Sequence, residues 1–350
     1  MGMMDIQKAI DLLSRYGHLQ ADEAEAVMNQ IMVGGATEAQ IGAYLMALRM
    51  KGETQDEILG SARAMRANAE QVPTSFEGTN LLDTCGTGGD KSGTFNISTT
   101  VAFVAAGAGL IVAKHGNRAA SSKCGSADVL GELGVNLDLL PEQVGRCIDA
   151  VGIGFLFAAK LHPAMKHAIG VRRQIAVRTI FNILGPLTNP AGARRQLVGV
   201  FASDLTPMLA HVLGELGAVS ALVVNGYGGL DELTTTGPNQ ISQFADGTVT
   251  TYELMPEALG FSGATIHDLL GGDAPTNAAI LRGILSGTIH DAKRDVVVLN
   301  AAAALLAGGM VGDLASGVTQ AVAVIDSGAA VAKLDALIAF SQKLATETAA

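Results

Sequence analysis

From residue 5 to residue 70 apolar residues recur at every third or fourth position, with Ile6, Ile10 and Leu13 in one stretch and Ile41, Leu45 and Leu48 in another. That repeat is the signature of a helix with one buried face, and it predicts a string of short helices. Thr37 with Gln40, and Thr54 with Glu57, carry the spacing of a capping box, in which a hydroxyl and an amide or carboxylate satisfy the N–H groups left unpaired at a helix start. No strand pattern interrupts the segment, so residues 1–72 read as a small helical domain.

The pattern changes after Pro73. Short apolar runs at Leu81–Asp83, Leu110–Ala113, Ile153–Phe157, Leu197–Val200 and Ala221–Val224 are separated by Gly-rich turns and helix-like stretches. Strands alternating with helices predict a large α/β domain over 73–350, with a mostly parallel central sheet flanked by helices. Residues 160–192 break the alternation with basic, helix-like sequence ending in the turn signals Gly185-Pro186 and Asn189-Pro190. The part at 165–192 is expected to pack back on the N-terminal helices and complete their domain.

Composition narrows the class. With 49% hydrophobic and 16% charged residues in 350, the chain can bury a large core, which excludes a disordered chain. Its 43 glycines, lack of Trp and 4% aromatics suit a helix-rich α/β protein with close backbones better than a sandwich. A net charge of -10 disfavours sequence-independent binding to nucleic acid or an acidic membrane. Cys85, Cys124 and Cys147 have no C-x-x-C spacing, so neither a disulfide framework nor a zinc cluster is supported, and a cytoplasmic location is expected. The first ten residues lack a signal-peptide pattern, and the richest apolar run, Val296–Leu306, falls short of the ~20 residues that span a membrane.

Four stretches could carry chemistry. Asp83-Thr84-Cys85-Gly86-Thr87-Gly88-Gly89-Asp90, followed by Thr94, Asn96, Ser98 and Thr99 at the start of an apolar helix, has the make-up of a phosphate cradle. The glycines alone would fit an ordinary tight turn; the polar cluster shifts the balance towards binding. Lys114-His115-Gly116-Asn117-Arg118, with Ser121, Ser122 and Ser126, lies past a strand's carboxyl end, where open α/β sheets bind ligands. Asp231-Glu232 is either an acidic surface turn or a pair of hard ligands suited to Mg²⁺. The basic stretch Lys160, His162, Lys166, His167, Arg172, Arg173 and Arg178 includes guanidinium groups able to hold a carboxylate; Arg172 and Arg173 point different ways on a helix, so at most one faces a site. No G-x-S-x-G, H-E-x-x-H or Cys–His pairing is evident, which favours positioning and electrostatics over covalent or zinc catalysis.

The segments 83–100, 114–134, 162–190 and 231–237, in this order, resemble the anthranilate phosphoribosyltransferase family, of the nucleoside phosphorylase and phosphoribosyltransferase fold, over almost the whole chain. The resemblance implies a homodimer built through the helical domains and a cleft between the two domains. There the phosphoribosyl group of phosphoribosyl pyrophosphate (PRPP) would pass to the amine of anthranilate, a step of tryptophan biosynthesis. It implies that Gly86, Gly89, Asp90, Thr94, Asn96, Ile97, Ser98, Thr99, Lys114, His115, Gly116, Asn117, Arg118, Ala119, Ala120, Ser121, Ser122 and Ser126 surround PRPP. Ser98, Asp231 and Glu232 match the Mg²⁺ positions, and Gly86, Asn117 and Arg172 those touching anthranilate. His115, His162 and Pro186 resemble the walls of the channel through which the aromatic acid arrives. Cys124, Ala159 and Leu161 depart from the usual serine, proline and aromatic residue. A pyrimidine nucleoside phosphorylase shares the architecture; the acidic pair and the segments around His162 and Pro186 favour the transferase.

Overall fold

The computed structural model describes residues 4–119 and 123–348. The chain opens with helices α1 (Ile6–Ser14), α2 (Ala21–Met32), α3 (Glu38–Lys51) and α4 (Gln55–Ala67). Both expected capping boxes form: Thr37 and Gln40 exchange bonds of 2.9 and 3.3 Å, Thr54 and Glu57 bonds of 2.8 and 3.3 Å. Glu57 is buried and also accepts from the ammonium of Lys51 at 2.9 Å and from the Leu19 N–H at 3.1 Å, so one carboxylate ties a helix start to two other segments.

The α/β part follows with β1 (Leu81–Gly86), α5 (Ile97–Gly107), β2 (Ile111–Gly116), α6 (Ser126–Glu132), α7 (Pro141–Val151) and β3 (Ile153–Phe157). An insertion contributes α8 (Ala158–Leu161), α9 (Lys166–Ile175) and α10 (Phe181–Leu184). The sheet resumes with β4 (Arg195–Gly199), α11 (Leu205–Glu215), β5 (Ser220–Asn225), β6 (Asn239–Ala245) and β7 (Thr248–Leu254). Helices α12 (Ala274–Leu285), α13 (Ala292–Ala307), α14 (Leu314–Asp326) and α15 (Ala329–Thr348) complete the chain.

One seven-stranded sheet runs β3-β2-β1-β4-β5-β6-β7. All five expected strands form and pair in parallel. The antiparallel hairpin β6–β7 was not among the expected strands; it turns at Asp246 and Gly247, both with left-handed backbone (φ 50 and 76). Side chains alternate across the sheet. Leu197, Leu222 and Val224 join the core beneath α5 and α13, while Val198, Ala221 and Val223 join the core formed with α11 and the N-terminal helices. The apolar run Val296–Leu306 lies within α13, which is buried nearly throughout, and no helix of the described residues is long and apolar enough to cross a membrane. On the insertion, α9 packs against α2 and α3, with Ala168 and Val171 buried among their side chains.

The order of strands fixes where a ligand can sit. From β1 the chain moves outward through β2 to β3, then returns to lay β4 on the other side of β1 and continues to β5. The crevice beyond the carboxyl ends of β1 and β4 is therefore the switch point at which open parallel sheets bind their ligands.

Candidate active site

Gly86 and Gly199 are register partners at the ends of β1 and β4. The segment after β5 crosses directly above them: a Cβ on Gly199 would lie 1.5 Å from the Asp231 carbonyl oxygen, and one on Gly86 2.5 Å from Asp231 Oδ2. Glycine at both strand ends is what lets Asp231 reach the crevice. Its Oδ2 accepts from the Gly88 N–H at 2.5 Å, and Glu232 Oε1 accepts from the Ser98 N–H, at the start of α5, at 3.2 Å. The acidic pair thus fastens both the glycine-rich loop and the helix that follows it.

The electrostatics are unbalanced. Burial pushes the Asp231 and Glu232 carboxyls up, and each is raised further by a neighbouring carboxylate, Asp90 beside Asp231 and Asp231 beside Glu232. Asp90 accepts from Ser92 N–H through Oδ1 at 3.1 Å, while its buried Oδ2 has no partner. Lys114 is the cation facing this group. It is 2% exposed, donating to the Thr84 carbonyl at 2.5 Å and towards Ser98 Oγ at 3.5 Å, and burial pulls its ammonium down against the opposing pull of Asp83 and Glu232. Oxygen donors with excess negative charge and an orphaned carboxylate oxygen fit a hard divalent cation. Among the described residues no three His, Cys, Asp or Glu side chains form a ready-made cage, so such a cation would draw most of its shell from water and from phosphate oxygens.

The loop after β2 is organised by Asp128, in the first turn of α6. Its Oδ2 accepts from the N–H groups of Ala119 and Gly125, each at 2.9 Å, and its Oδ1 pairs with Arg118 at 2.9 Å. Asn117 and Arg118 are exposed, and Gly116 and Ala119 half-buried. Ser126 Oγ accepts from the buried Thr99 hydroxyl at 3.1 Å, and Asn96 bridges the Cys124 carbonyl at 3.2 Å and Asn277 at 3.0 Å. These contacts bring the two loops to one crevice. Thr94 makes an isolated bridge with Leu270 at its edge. Ile97 is buried in the core, 1% exposed. Ala120, Ser121 and Ser122 lie outside the described residues.

The basic stretch disperses. Lys160 pairs with Asp138 at 2.8 Å. Arg173 is exposed, while Arg172 is half-buried over the Phe181 ring, 5.3 Å from its centroid. His162 Nε2 meets His115 Nε2 at 3.2 Å; both rings are buried, which pushes His115 down to about 3 and His162 to about 4. Arg178 stacks on Phe201 with its guanidinium carbon 4.1 Å from the ring centroid and donates to the Gly89 carbonyl. Sequence reasoning passed over Asp128, Gly199 and Asn277. It also gave no separate role to Asp83, which accepts from the His115 N–H at 3.0 Å and from Asn189 at 2.8 Å, or to Asn189 itself. Of Asp128, Gly199 and Asn277, only Asp128 carried a local signal, a carboxylate three residues past the N-cap Gly125.

Comparison with known proteins bears on the fold and the family. The glycosyl transferase family, a/b domain, matches residues 78–331, and the glycosyl transferase family, helical bundle domain, matches residues 7–69. The anthranilate phosphoribosyltransferase of Moorella thermoacetica is 56% identical over 328 residues, 94% of this chain and 96% of that protein. The crystal structure of anthranilate phosphoribosyltransferase from Thermus thermophilus superposes with a TM-score of 0.90 at 43% identity, covering 95% of this chain and 99% of that one. The enzyme from Saccharomyces cerevisiae, in complex with PRPP and Mg, gives 0.87 at 25% identity over 97% and 98%. The chain belongs to the anthranilate phosphoribosyltransferase family.

Proposed function

We propose that the crevice at the carboxyl ends of β1, β2 and β4 is where this chain carries out its reaction. That reaction is transfer of the 5-phosphoribosyl group from PRPP to the amine of anthranilate, giving N-(5-phosphoribosyl)anthranilate and pyrophosphate in tryptophan biosynthesis, with Mg²⁺ as cofactor. In this reading the loops after β1 and β2 hold PRPP, Ser98, Asp231 and Glu232 hold Mg²⁺, and Gly86, Asn117 and Arg172 hold anthranilate. Tyr16 and Val33, just past α1 and α2, and Met50, in α3, each at least 66% exposed, suit a homodimer built through those helices, and the burial of Cys85, Cys124 and Cys147 suits the cytoplasm.

An aromatic amine is neutral near pH 7, so it needs alignment more than a base. Arg172, a guanidinium with no hydrogen bond or ion pair among the described residues, would take the anthranilate carboxylate and aim the amine at the anomeric carbon. As the bond to pyrophosphate lengthens, the loop N–H groups and the α5 N-terminus face the charge that builds on the leaving group. Ser98, Asp231 and Glu232 would hold Mg²⁺, which when bound would supply further positive charge to the leaving diphosphate.

One observation carries the reading: Asp231 lies across the two switch-point glycines while Glu232 reaches the start of α5. A coupled fluorescence assay with anthranilate, PRPP and MgCl₂, each omitted in turn, tests it. Asp231→Asn with Glu232→Gln should lower turnover by on the order of 100-fold or abolish its Mg²⁺ dependence. Normal Mg²⁺-dependent turnover in that variant would reject the two carboxylates as ligands.

A further inference from the structure

Beyond α9 the chain reverses at Ala176, whose backbone is left-handed (φ 54), and this sends Arg178 back over the crevice. The guanidinium rests on the Phe201 ring just past β4 and donates to the Gly89 carbonyl. No carboxylate lies within ion-pair distance of it among the described residues, so a half-buried cation is engaged by a ring face and a backbone oxygen alone. Gly88 and Gly89 both have positive φ (66 and 75), a backbone that glycine visits freely and does not hold by itself. The stretch is clamped from both sides: Asp231 takes the Gly88 N–H, and Arg178 takes the Gly89 carbonyl. A trans peptide points its carbonyl and the next N–H in opposite directions. Turning the Gly89 oxygen to Arg178 therefore turns the Asp90 N–H away from the insertion, and keeps a carbonyl dipole from facing an incoming diphosphate.

We propose that Arg178, seated on Phe201, is a positioning residue for the transfer: it sets the Gly89 peptide so that the glycine-rich loop presents N–H groups, not carbonyls, to the diphosphate of the donor. The inference rests on the crevice being the PRPP site. It separates the insertion's two half-buried arginines, Arg172 acting on the acceptor and Arg178, through the loop, on the donor.

Steady-state kinetics with both substrates varied, on the full chain with MgCl₂, tests the role. Arg178→Ala should raise the PRPP KM on the order of tenfold and leave the anthranilate KM within about twofold, since a charge-assisted hydrogen bond is lost on the donor side only. Arg178→Lys, which keeps a charged donor, should recover part of the PRPP KM, and it carries the test if the alanine variant does not fold. An unchanged PRPP KM, or equal weakening of both substrates, overturns the role of Arg178 while the crevice assignment stands. A parent chain that makes no product from PRPP and anthranilate fails the underlying reading instead.

Discussion

The loop after β1 is gripped from far along the chain, by Asp231, 143 residues beyond Gly88, and by Arg178, 89 residues beyond Gly89. The loop after β2 is gripped from within: Asp128 lies 9 and 3 residues from the two N–H groups it holds, and 10 from Arg118. Closing a short loop costs little chain entropy and needs only its own residues, whereas the first loop takes its shape only after β4, β5 and the insertion are in place. The two turns proposed to hold PRPP thus differ in what fixes them, one by assembly of the whole sheet and the other mainly by a local cap.

The sharpest way to break the comparison is at the glycines ending the strands. A Cβ at Gly199 would meet backbone, the Asp231 carbonyl oxygen at 1.5 Å, and nothing there can yield without moving the acidic pair. Gly199→Ala should cost on the order of 4 kcal/mol or prevent folding. At Gly116 the nearest atoms are side chains, Phe155 Cε2 at 2.8 Å and Ser126 Cβ at 3.0 Å, so Gly116→Ala should cost only about 1–2 kcal/mol. Chemical denaturation of the two variants measures the difference; equal losses would mean that the loops are anchored alike.

The root of the second loop has a distant tether of its own, the buried contact of His115 with His162. Both rings are held far below the ordinary value of 6.5, at about 3 and about 4, mainly by burial, so the native pair is neutral where the unfolded chain binds protons. Unfolding then takes up protons as the pH falls. The pair's contribution is whole above about pH 6.5 and is lost progressively towards pH 4 and below, by about 1.4 kcal/mol per pH unit for each imidazole. Denaturation free energies of the parent and of His162→Gln between pH 4 and 7 should diverge in slope by about one proton. Parallel profiles would show that His162 is not held neutral.

Legibility in the sequence follows the same division. Features closed over a few residues could be read directly: the capping boxes at Thr37 and Thr54, the five parallel strands, the glycine-rich turn. The Asp231-Glu232 pair was visible as two adjacent carboxylates, but nothing local says that it lies over Gly86 and Gly199, because that contact is made by strand order. The bond from Asn277 to Asn96 spans 181 residues and leaves no local trace. Arg178 sits in a run of basic residues whose spacing does not tell the surface pair Lys160–Asp138 from the crevice contact with Gly89. The β6–β7 hairpin escaped for another reason. Its outer strand is largely exposed and polar, Thr248 to Glu253, so the apolar signal is diluted, although the Asp246-Gly247 turn between the two runs is a hairpin marker.

Asp128 offers a smaller and more local perturbation. Its carboxyl is held below the ordinary range: burial opposes this, but the N–H groups of Ala119 and Gly125 and the pairing with Arg118 outweigh it. Asp128→Asn should weaken PRPP binding by loosening the loop, at a stability cost of only about 1–2 kcal/mol, because the sheet does not depend on it. Isothermal titration with PRPP and thermal melts separate the two effects. A loss of stability as large as that of Gly199→Ala would contradict the local character of this loop.

The least disturbing change lies one turn beyond that anchor. Gly131 is an exposed residue inside α6, where a Cβ would find Leu137 Cδ1 at 3.4 Å, close but at the end of a movable side chain. Glycine costs a helix interior about 0.5–1 kcal/mol relative to alanine, largely through the freedom of the unfolded chain. Gly131→Ala should therefore raise stability by a few tenths to about 1 kcal/mol in chemical denaturation. Since Asp128 already fixes the loop through its own carboxylate, a stiffer helix behind it should leave the PRPP KM unchanged. A changed KM would mean that the loop after β2 takes its shape from the helix as a whole and not from the one carboxylate at its start.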